Sequence, residues 1–306
     1  MPRGTLRQAP MTAATPASGH TPSPPVARRR AARQVRQMRL NARLTLDEAA
    51  PKLDLTRSSL NRVETGATQL DVHLARSMMD VYDEFVPELL DTVRAARLRG
   101  WWHNYLVGNS EYLGWEAGAT QVRELAAARL PDLLQTEDYT RALLSDLHNE
   151  TPKPRARRDA VRRRMADELQ TRRIRQRRLL GQDTVLSLTV IVDEAALHHQ
   201  VGGFRVMRAQ LAQVIEFASL TTVRLHVLPF SAGATFRIGG FRLLTFDHRD
   251  DPPLVYVDQL SEAVREEATD QIAAATQIFH YLTSAALTES ESRRFVEKIR
   301  DEMTSA

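Results

Sequence analysis

The stretch that decides the fold of the first part of the chain is residues 33–66, RQVRQMRLNARLTLDEAAPKLDLTRSSLNRVETG. Thr45 and Glu48 are spaced as a capping box, in which each residue's side chain accepts a hydrogen bond from the other's backbone amide. This pattern predicts the start of a short helix. Residues 53–55 end that helix, and Thr56 is typical of the N-cap of a second one.

The second predicted helix extends from residue 57 to about residue 64. It ends at Gly66, which suits a left-handed C-terminal cap. Two short helices joined by a turn of about three residues form a helix-turn-helix. Helical spacing directs one set of apolar side chains towards the core of this unit: Ala50, Leu55, Leu60 and Val63.

The outer face of the second helix is polar and carries Arg57, Ser58, Asn61 and Arg62. Arginine makes bidentate contacts with guanine in the major groove of DNA, and asparagine does so with adenine. This face is therefore chemically suited to reading bases. The solvated polar face of an ordinary helical hairpin gives the same pattern, so the residues alone leave both interpretations open.

The composition excludes several classes of function. The chain has 306 residues, which as a prior indicates about two domains. It contains no cysteine, which excludes disulfides, thiolate metal sites and cysteine nucleophiles and is expected of a cytoplasmic protein. The apolar runs fall well short of the roughly 20 residues that span a membrane, so no membrane partner is expected.

The charge is distributed unevenly along the chain. Residues 1–46 contain nine arginines and no acidic residue, whereas the remainder is net acidic within a total charge of +4. This asymmetry predicts a polyanionic partner for the N-terminal part. Arg28, Arg29 and Arg30 precede the first expected helix and are predicted to form a flexible arm that contacts phosphates.

The pattern along the chain predicts a multidomain protein. Residues 1–27, rich in Pro, Ala, Thr and Ser, are expected to be a disordered tail. Residues 28–98 are expected to form an all-α five-helix helix-turn-helix domain. Residues 99–302 are expected to be a regulatory or partner-binding region, helical over 99–181 and α+β over 182–302. Its strands are predicted at 185–192, 223–229, 241–246 and 254–260, and its longer helices at 157–180, 204–220, 268–286 and 289–302.

Two features of the second region have competing explanations. Residues 153–178 contain twelve basic and three acidic residues, which suits either a structural helix with arginine–acid pairs or a nucleic-acid contact. Trp101, Trp102 and Trp115 are typical of a core or interdomain seam, and a small-molecule pocket is the alternative. The pair His198–His199 lacks further ligands at a recognisable spacing, so no metal site is expected.

Residues 28–82 resemble the lambda-repressor-like (XRE or Cro-type) helix-turn-helix family. The matching positions are Leu44, Thr45, Ala50, Leu53, Thr56, Leu60, Val63, Glu64 and Gly66. The resemblance implies that Arg57, Ser58, Asn61 and Arg62 contact base edges. It places Thr45 and Thr56 at helix starts near phosphates, and Arg39 and Glu64 at the positions of a buried ion pair.

Three residues depart from the pattern of that family. Leu46 replaces a glutamine that binds phosphate, so this chain cannot make that hydrogen bond. Asp54 replaces the glycine of the turn, and aspartate adopts the left-handed conformation more readily than most residues. Pro51 lies inside the first helix of the motif, where proline removes an amide donor and is expected to bend the helix or weaken DNA binding.

The remainder of the chain, about residues 99–290, resembles the C-terminal domain of antitoxin-like bacterial regulators. The stretches that carry the resemblance are residues 99–103 (RGWWH), 130–139 (LPDLLQTEDY), 175–180 (RQRRLL) and 227–233 (VLPFSAG). The resemblance implies a two-part regulator, often encoded beside a small partner protein. It implies no catalytic residues.

The sequence therefore predicts a cytoplasmic, sequence-specific DNA-binding transcriptional regulator that acts on double-stranded DNA as a homodimer. Its C-terminal region is expected to regulate it through a protein partner or ligand. The alternative is an antitoxin-like protein-interaction module that sequesters a small partner protein. No catalytic constellation and no cofactor motif emerges, so an enzyme is not expected.

Overall fold

The computed structural model describes residues 22–146, 155–233, 239–248, 251–257 and 264–303. Most of the expected N-terminal tail, residues 1–21, lies outside the described residues. The expectation is wrong for residues 22–27, because the first helix begins at Pro24. Proline is favourable in a first helical turn, since its missing amide has no intrahelical partner there.

Five helices packed around one apolar core occupy residues 24–96. Their bounds are α1 (Pro24–Asn41), α2 (Leu46–Lys52), α3 (Arg57–Glu64), α4 (Val72–Tyr82) and α5 (Pro87–Ala96). The core includes Val35 and Met38 from α1, Leu60 from α3, Met78 from α4 and Leu89 from α5. Their burial holds the short helices α2 and α3 in place, since helices of seven or eight residues are unstable alone.

The local signals at α2 and the following turn are confirmed. Thr45 Oγ1 accepts from the Glu48 amide at 3.2 Å, and Glu48 Oε2 accepts from the Thr45 amide at 2.8 Å. Asp54 is left-handed, with φ +55°. Pro51 lies in the last turn of α2, so its missing amide removes only one bond at the end of the helix.

The described residues after α5 form a domain of helices around one sheet. The bounds of its helices are α6 (Ser110–Gly118), α7 (Glu137–Asp146), α8 (Arg155–Leu179), α9 (Glu194–His198), α10 (Phe204–Phe217), α11 (Thr269–Ala285) and α12 (Glu289–Glu302). Its strands are β1 (Gln121–Ala126), β2 (Ser187–Asp193), β3 (Val223–Leu228), β4 (Phe241–Thr245), β5 (Leu254–Val257) and β6 (Val264–Glu266). Short 3-10 helices lie at Trp101–Asn104, Asp132–Leu134 and Phe230–Ala232.

The sheet is mixed and has the strand order β3-β2-β1-β4-β5-β6. Strands β1, β2 and β3 are parallel, and β4, β5 and β6 are antiparallel to their neighbours. The expectation of a purely helical region over 99–181 is wrong, because β1 lies in the middle of this sheet. Its sequence, QVRELA, contains several good helix formers, and its pairing with strands more than 60 residues away overrides that propensity.

Helices cover both faces of the sheet. On one face, side chains of β2 such as Val190 pack with Leu211 of α10 and Val296 of α12. On the other face, Ile191 packs with residues of α11 that include Phe279. The alternation of Val190 and Ile191 between faces follows the two-residue period of a strand, and buried parallel strands are apolar on both sides. The result is a three-layer arrangement of helix, sheet and helix.

Helix α1 belongs to both cores. Val35 and Met38, in its second half, pack in the five-helix core, whereas Val26 packs in the core of the second domain. Close approach of α1 to α6 depends on Gly118, where a Cβ atom would lie 2.5 Å from Ser23 Oγ and 2.7 Å from Val26 Cγ2. A single helix of 18 residues therefore packs in both domains.

No helix in the described part of the chain is both long and apolar enough to cross a bilayer.

Candidate nucleic-acid interface

Helix α3 is fixed at both ends by its own sequence. Thr56 Oγ1 accepts from the Ser59 amide at 3.1 Å and caps the N-terminus. At the other end, Gly66 is left-handed with φ +72°, and its amide donates to the Val63 carbonyl at 3.0 Å. These caps satisfy backbone groups that a short helix leaves without internal partners. The caps fix where the side chains of α3 point.

One side of α3 is buried and the other faces solvent. Leu60 is 0% exposed and Val63 is 4% exposed. The four residues predicted to contact base edges are all exposed and are brought together on the solvent face: Arg57, Ser58, Asn61 and Arg62. Since a helix turns by about 100° per residue, Arg57 and Asn61 form one stripe, and Ser58 and Arg62 form the stripe beside it.

Two of these side chains have partners within the domain. Arg57 Nε lies 3.5 Å from Asp47 Oδ1 at the start of α2, and both side chains are about 70% exposed. Arg62 Nε donates to Thr68 Oγ1 at 3.1 Å in the loop after α3. These exposed contacts orient the guanidinium groups and leave other N–H donors free for a ligand.

The two threonines expected near phosphates are exposed, but both are engaged as helix caps. Thr45 Oγ1 also donates to Glu48 Oε2 at 2.8 Å, so a carboxylate occupies the start of α2. These hydrogen bonds hold the pKa of Glu48 below its usual range. A charged carboxylate here opposes an incoming phosphate, whereas the start of α3 has no acidic residue in its first turn.

Leu46, which occupies the position of a phosphate-binding glutamine, is half-buried against the apolar core. Its side chain contributes to packing and presents no hydrogen-bonding group. Of the two helix starts, the start of α3 is the one without an acidic residue in its first turn.

The predicted ion pair ties α1 to α3. Arg39 Nε donates to Glu64 Oε1 at 2.7 Å, and Arg39 NH2 donates to Glu64 Oε2 at 2.8 Å. Both side chains are at least 92% buried. Hydrogen bonding to Glu64 raises the pKa of Arg39, and burial raises the pKa of the nearby Tyr82 hydroxyl to about 12. This bidentate pair sets the position of the end of α3 against α1.

The prediction of a flexible arm at residues 28–30 is wrong. These residues lie within α1, and Arg29 is 7% exposed. The Arg29 guanidinium lies 5.1 Å from the centre of the Trp115 ring and 4.8 Å from that of Phe246. Arg30 Nε donates to the buried carboxylate of Asp251 at 3.0 Å. Nothing in the local sequence indicates this, because the partners are more than 80 residues away.

The same contacts give the tryptophans a role. Trp102 and Trp115 are both 4% exposed, and Trp115 lies where α1 meets the second domain. This geometry fits the interpretation as a core and interdomain seam.

The second domain contains a network of buried charges whose partners could not be read from the sequence. Arg175 donates two hydrogen bonds to Glu116, at 2.7 and 2.6 Å, and Arg242 Nε lies 3.1 Å from Glu124 Oε1 on the neighbouring strand. Burial raises the pKa of Asp132, but the surrounding arginines outweigh it and leave that pKa well below the usual range. The basic and acidic side chains of this network form close pairs, which is typical of residues with a structural role.

No group of three or more His, Asp or Glu residues is arranged to hold a metal ion among the described residues. His198 lies 3.4 Å from Glu194, one turn earlier in α9, and Asp193 caps that helix.

The fold and the exposed face of α3 together define a helix-turn-helix protein with a second, three-layer domain attached through its first helix. The chain belongs to the family defined by a domain of unknown function (DUF5753), which matches residues 110–298, more than half of the chain. A helix-turn-helix domain matches residues 30–93 and supports a DNA-binding regulator. Comparisons with curated proteins and with solved structures gave no match.

Proposed function

We propose that this protein is a sequence-specific, DNA-binding transcriptional regulator that reads the major groove with α3. One observation carries the proposal: the buried side of α3 locks the helix onto the core, so that Arg57 and Asn61 share one exposed stripe. An arginine and an asparagine on one stripe supply donors and acceptors for guanine and adenine edges. Because its partner is DNA, we place the protein in the cytoplasm.

We propose that it acts as a homodimer. Helix α3 has eight residues, and a single short helix contacts too few base pairs to find one site in a genome. Two copies bound to half-sites one helical turn apart multiply the specificity. Sedimentation of the protein with and without its selected duplex measures the number of copies bound, and one copy per site contradicts this part of the proposal.

The second domain, in this proposal, regulates DNA binding through a protein partner or ligand and catalyses no reaction. Support comes from α1, since Val26 and Arg29 pack in the second domain while Val35 packs under α3. A partner that shifts the second domain therefore has a direct mechanical path to the recognition helix.

The test of base reading begins with selection of duplexes from a random pool by the full-length protein. Arg57→Ala and Asn61→Ala should each weaken the selected site by about 1–3 kcal/mol and relax the preference at one base pair. Arg94→Ala, which removes an exposed arginine from α5, is the matched control and should leave the preference unchanged. Equal weakening on selected and scrambled duplexes makes these residues phosphate contacts and contradicts base reading.

An antitoxin-like module that sequesters a small partner protein is the second candidate. Phe230 and Tyr281 favour it, since these aromatic side chains of the second domain are 64% and 58% exposed. Exposed aromatic residues are enriched at protein interfaces. Full retention of a small protein together with no DNA binding at low salt supports this candidate over the first.

A further inference from the structure

The two halves of helix α8 differ in whether their arginines form ion pairs within the domain. It spans 25 residues, which makes it about 37 Å long. In its second half the arginines have partners inside the domain. Arg172 contacts Asp132, Arg173 contacts Glu137, Arg175 contacts Glu116, and Arg177 contacts Asp183. These arginines bind the helix to the domain.

The first half of α8 is different. Arg162, Arg163 and Arg164 are all exposed, and none of them forms an ion pair within the part of the chain that the structure describes. We call these three residues the free arginine turn. The residues around it are largely exposed as well, so the free arginine turn does not hold a core together.

Two of the three acids that lie one helical turn from the free arginine turn are bound elsewhere, and the third, Asp159, is exposed and forms no ion pair within the described residues. Asp167 accepts from the Leu106 amide at 2.9 Å, and Glu168 accepts from the Gly108 amide at 3.1 Å. These carboxylates stand one turn after Arg163 and Arg164, at the spacing where helical ion pairs form. Because these two carboxylates bind backbone amides, they form no ion pair with the arginines, whose N–H donors stay available to an external ligand.

The start of α8 strengthens the positive potential. The helix has no acidic residue in its first turn, so no carboxylate there offsets the positive charge of its arginines. A sequence selected only for helix stability places acids at this end. The stretch from residue 153 to residue 164 instead contains seven basic residues and one acidic residue.

We propose that the free arginine turn binds the phosphate backbone of DNA, as a second contact outside the helix-turn-helix. Arg162 and Arg163 project about 100° apart around the helix, so both reach one side of a duplex. Exposed guanidinium groups without fixed geometry suit phosphates, which recur along the whole duplex, better than base edges. This contact rests on the proposed function in one respect: α3 brings the duplex to the protein.

Attachment through α1 makes the second contact effective. Once α3 holds a duplex, the free arginine turn meets flanking phosphates at high effective concentration. Each phosphate contact releases condensed counterions, so the contact raises affinity for every sequence and steepens the salt dependence. An acidic protein segment is the competing occupant, and DNA is favoured because the same chain already carries a candidate DNA-reading helix.

The experiment measures binding of full-length protein at several salt concentrations. The duplexes carry a selected or a scrambled site extended by two helical turns on either side. Arg162→Gln with Arg163→Gln should weaken both duplexes about tenfold and reduce the slope of log affinity against log salt by about 0.9 for each phosphate that is no longer bound. Arg162→Lys with Arg163→Lys, which keeps the charge, should retain the slope.

The matched control is Arg173→Gln with Arg177→Gln. It removes two exposed arginines from the same helix, but these arginines are paired with Glu137 and Asp183. Its affinity should stay within twofold of wild type. Equal weakening in both double variants, or no weakening in the first, overturns the proposal. The absence of weakening in the Arg162→Gln, Arg163→Gln variant is also the outcome expected if an acidic protein, and not DNA, binds this surface.

The two proposals fail in distinguishable ways. If Arg57→Ala abolishes site preference while the first double variant leaves the slope unchanged, only the second contact is wrong. If Arg57→Ala has no effect while the double variant reduces the slope, base reading by α3 is wrong and the contact through α8 stands. Absence of all DNA binding by wild type at low salt overturns both.

Discussion

At the scale of single residues, Arg39 carries the connection between α1 and α3. Its guanidinium is buried and bidentate to Glu64, so removal of one partner leaves the other charge buried without compensation. Arg39→Ala should therefore lower the free energy of unfolding by about 3–5 kcal/mol. Urea unfolding followed by circular dichroism measures it. Arg94→Ala, in an exposed pair, is the control, and equal effects of the two substitutions contradict a special role for Arg39.

Asp47 is a residue that sequence patterns do not single out, and we expect it to oppose DNA binding. It lies 3.5 Å from Arg57 and adds negative charge beside the proposed interface. Asp47→Asn should raise DNA affinity about two- to fivefold, because it releases the arginine from an exposed pair and removes repulsion of phosphates. The matched control is Asp80→Asn in α4, which makes the same change in net charge at an exposed position. If both variants gain the same DNA affinity, the effect comes from net charge alone and not from the contact between Asp47 and Arg57.

At the scale of elements, the turn between α2 and α3 stores backbone strain. Asp54 adopts φ +55°, a conformation that disfavours side chains with a Cβ atom. Asp54→Gly should raise the free energy of unfolding by about 1 kcal/mol, and Asp54→Val should lower it by a similar amount. Thermal unfolding measures both. Asp54→Asn is the control for the lost charge, since asparagine tolerates this conformation. If Asp54→Gly destabilises the protein, the turn does not store strain.

Elements with local signals could be predicted from the sequence, and those with distant partners could not. The capping box at Thr45, the left-handed glycine at Gly66 and the alternating strand around Val190 all follow from neighbouring residues. Strand β1 could not be predicted in this way because its pairing partners lie far along the chain. The candidate site on α3 followed from a local pattern, whereas the partner of Arg57 needed the packing of two helices.

At the scale of the molecule, the buried charge network makes the stability of the second domain depend on pH. Burial raises the pKa of Glu116, but Arg175 outweighs it and the net shift is downwards. A carboxylate whose pKa is lowered on folding stabilises the fold above its unfolded pKa of about 4, and this stability is lost as pH falls further. Asp132 contributes with the same sign, and Glu124, whose pKa is raised by burial, contributes with the opposite sign.

Glu116→Gln should therefore lower the free energy of unfolding by about 3–5 kcal/mol at pH 7 and flatten its fall between about pH 5 and pH 3. The tryptophans of the chain lie at residues 101, 102 and 115, so fluorescence during urea unfolding reports on the second domain. Glu137→Gln, which breaks an exposed pair with Arg173, is the control. An unchanged pH profile in Glu116→Gln excludes this carboxylate as a source of the acid sensitivity.

Helix α1 packs in both domains, and Gly118 is where coupling between them can be tested. A methyl group there would lie 2.5 Å from Ser23 Oγ and 2.7 Å from Val26 Cγ2. Helix propensity alone predicts that Gly118→Ala stabilises α6 by about 0.5–1 kcal/mol. Because the methyl group pushes α1 away from α6, we expect net destabilisation and altered fluorescence of Trp115.

Val26→Ala is the control that tests whether a clash with α1 causes the destabilisation expected of Gly118→Ala. The single substitution removes buried apolar packing and should destabilise the protein, but it also makes space for a methyl group at residue 118. In the double variant the total destabilisation should fall short of the sum of the two single effects, because Val26→Ala removes the clash with Val26 Cγ2 and leaves only the one with Ser23. Additive effects would mean that Gly118 acts within α6 alone. If the two substitutions are also non-additive in their effect on DNA affinity, the contact between α1 and α6 influences DNA binding by α3.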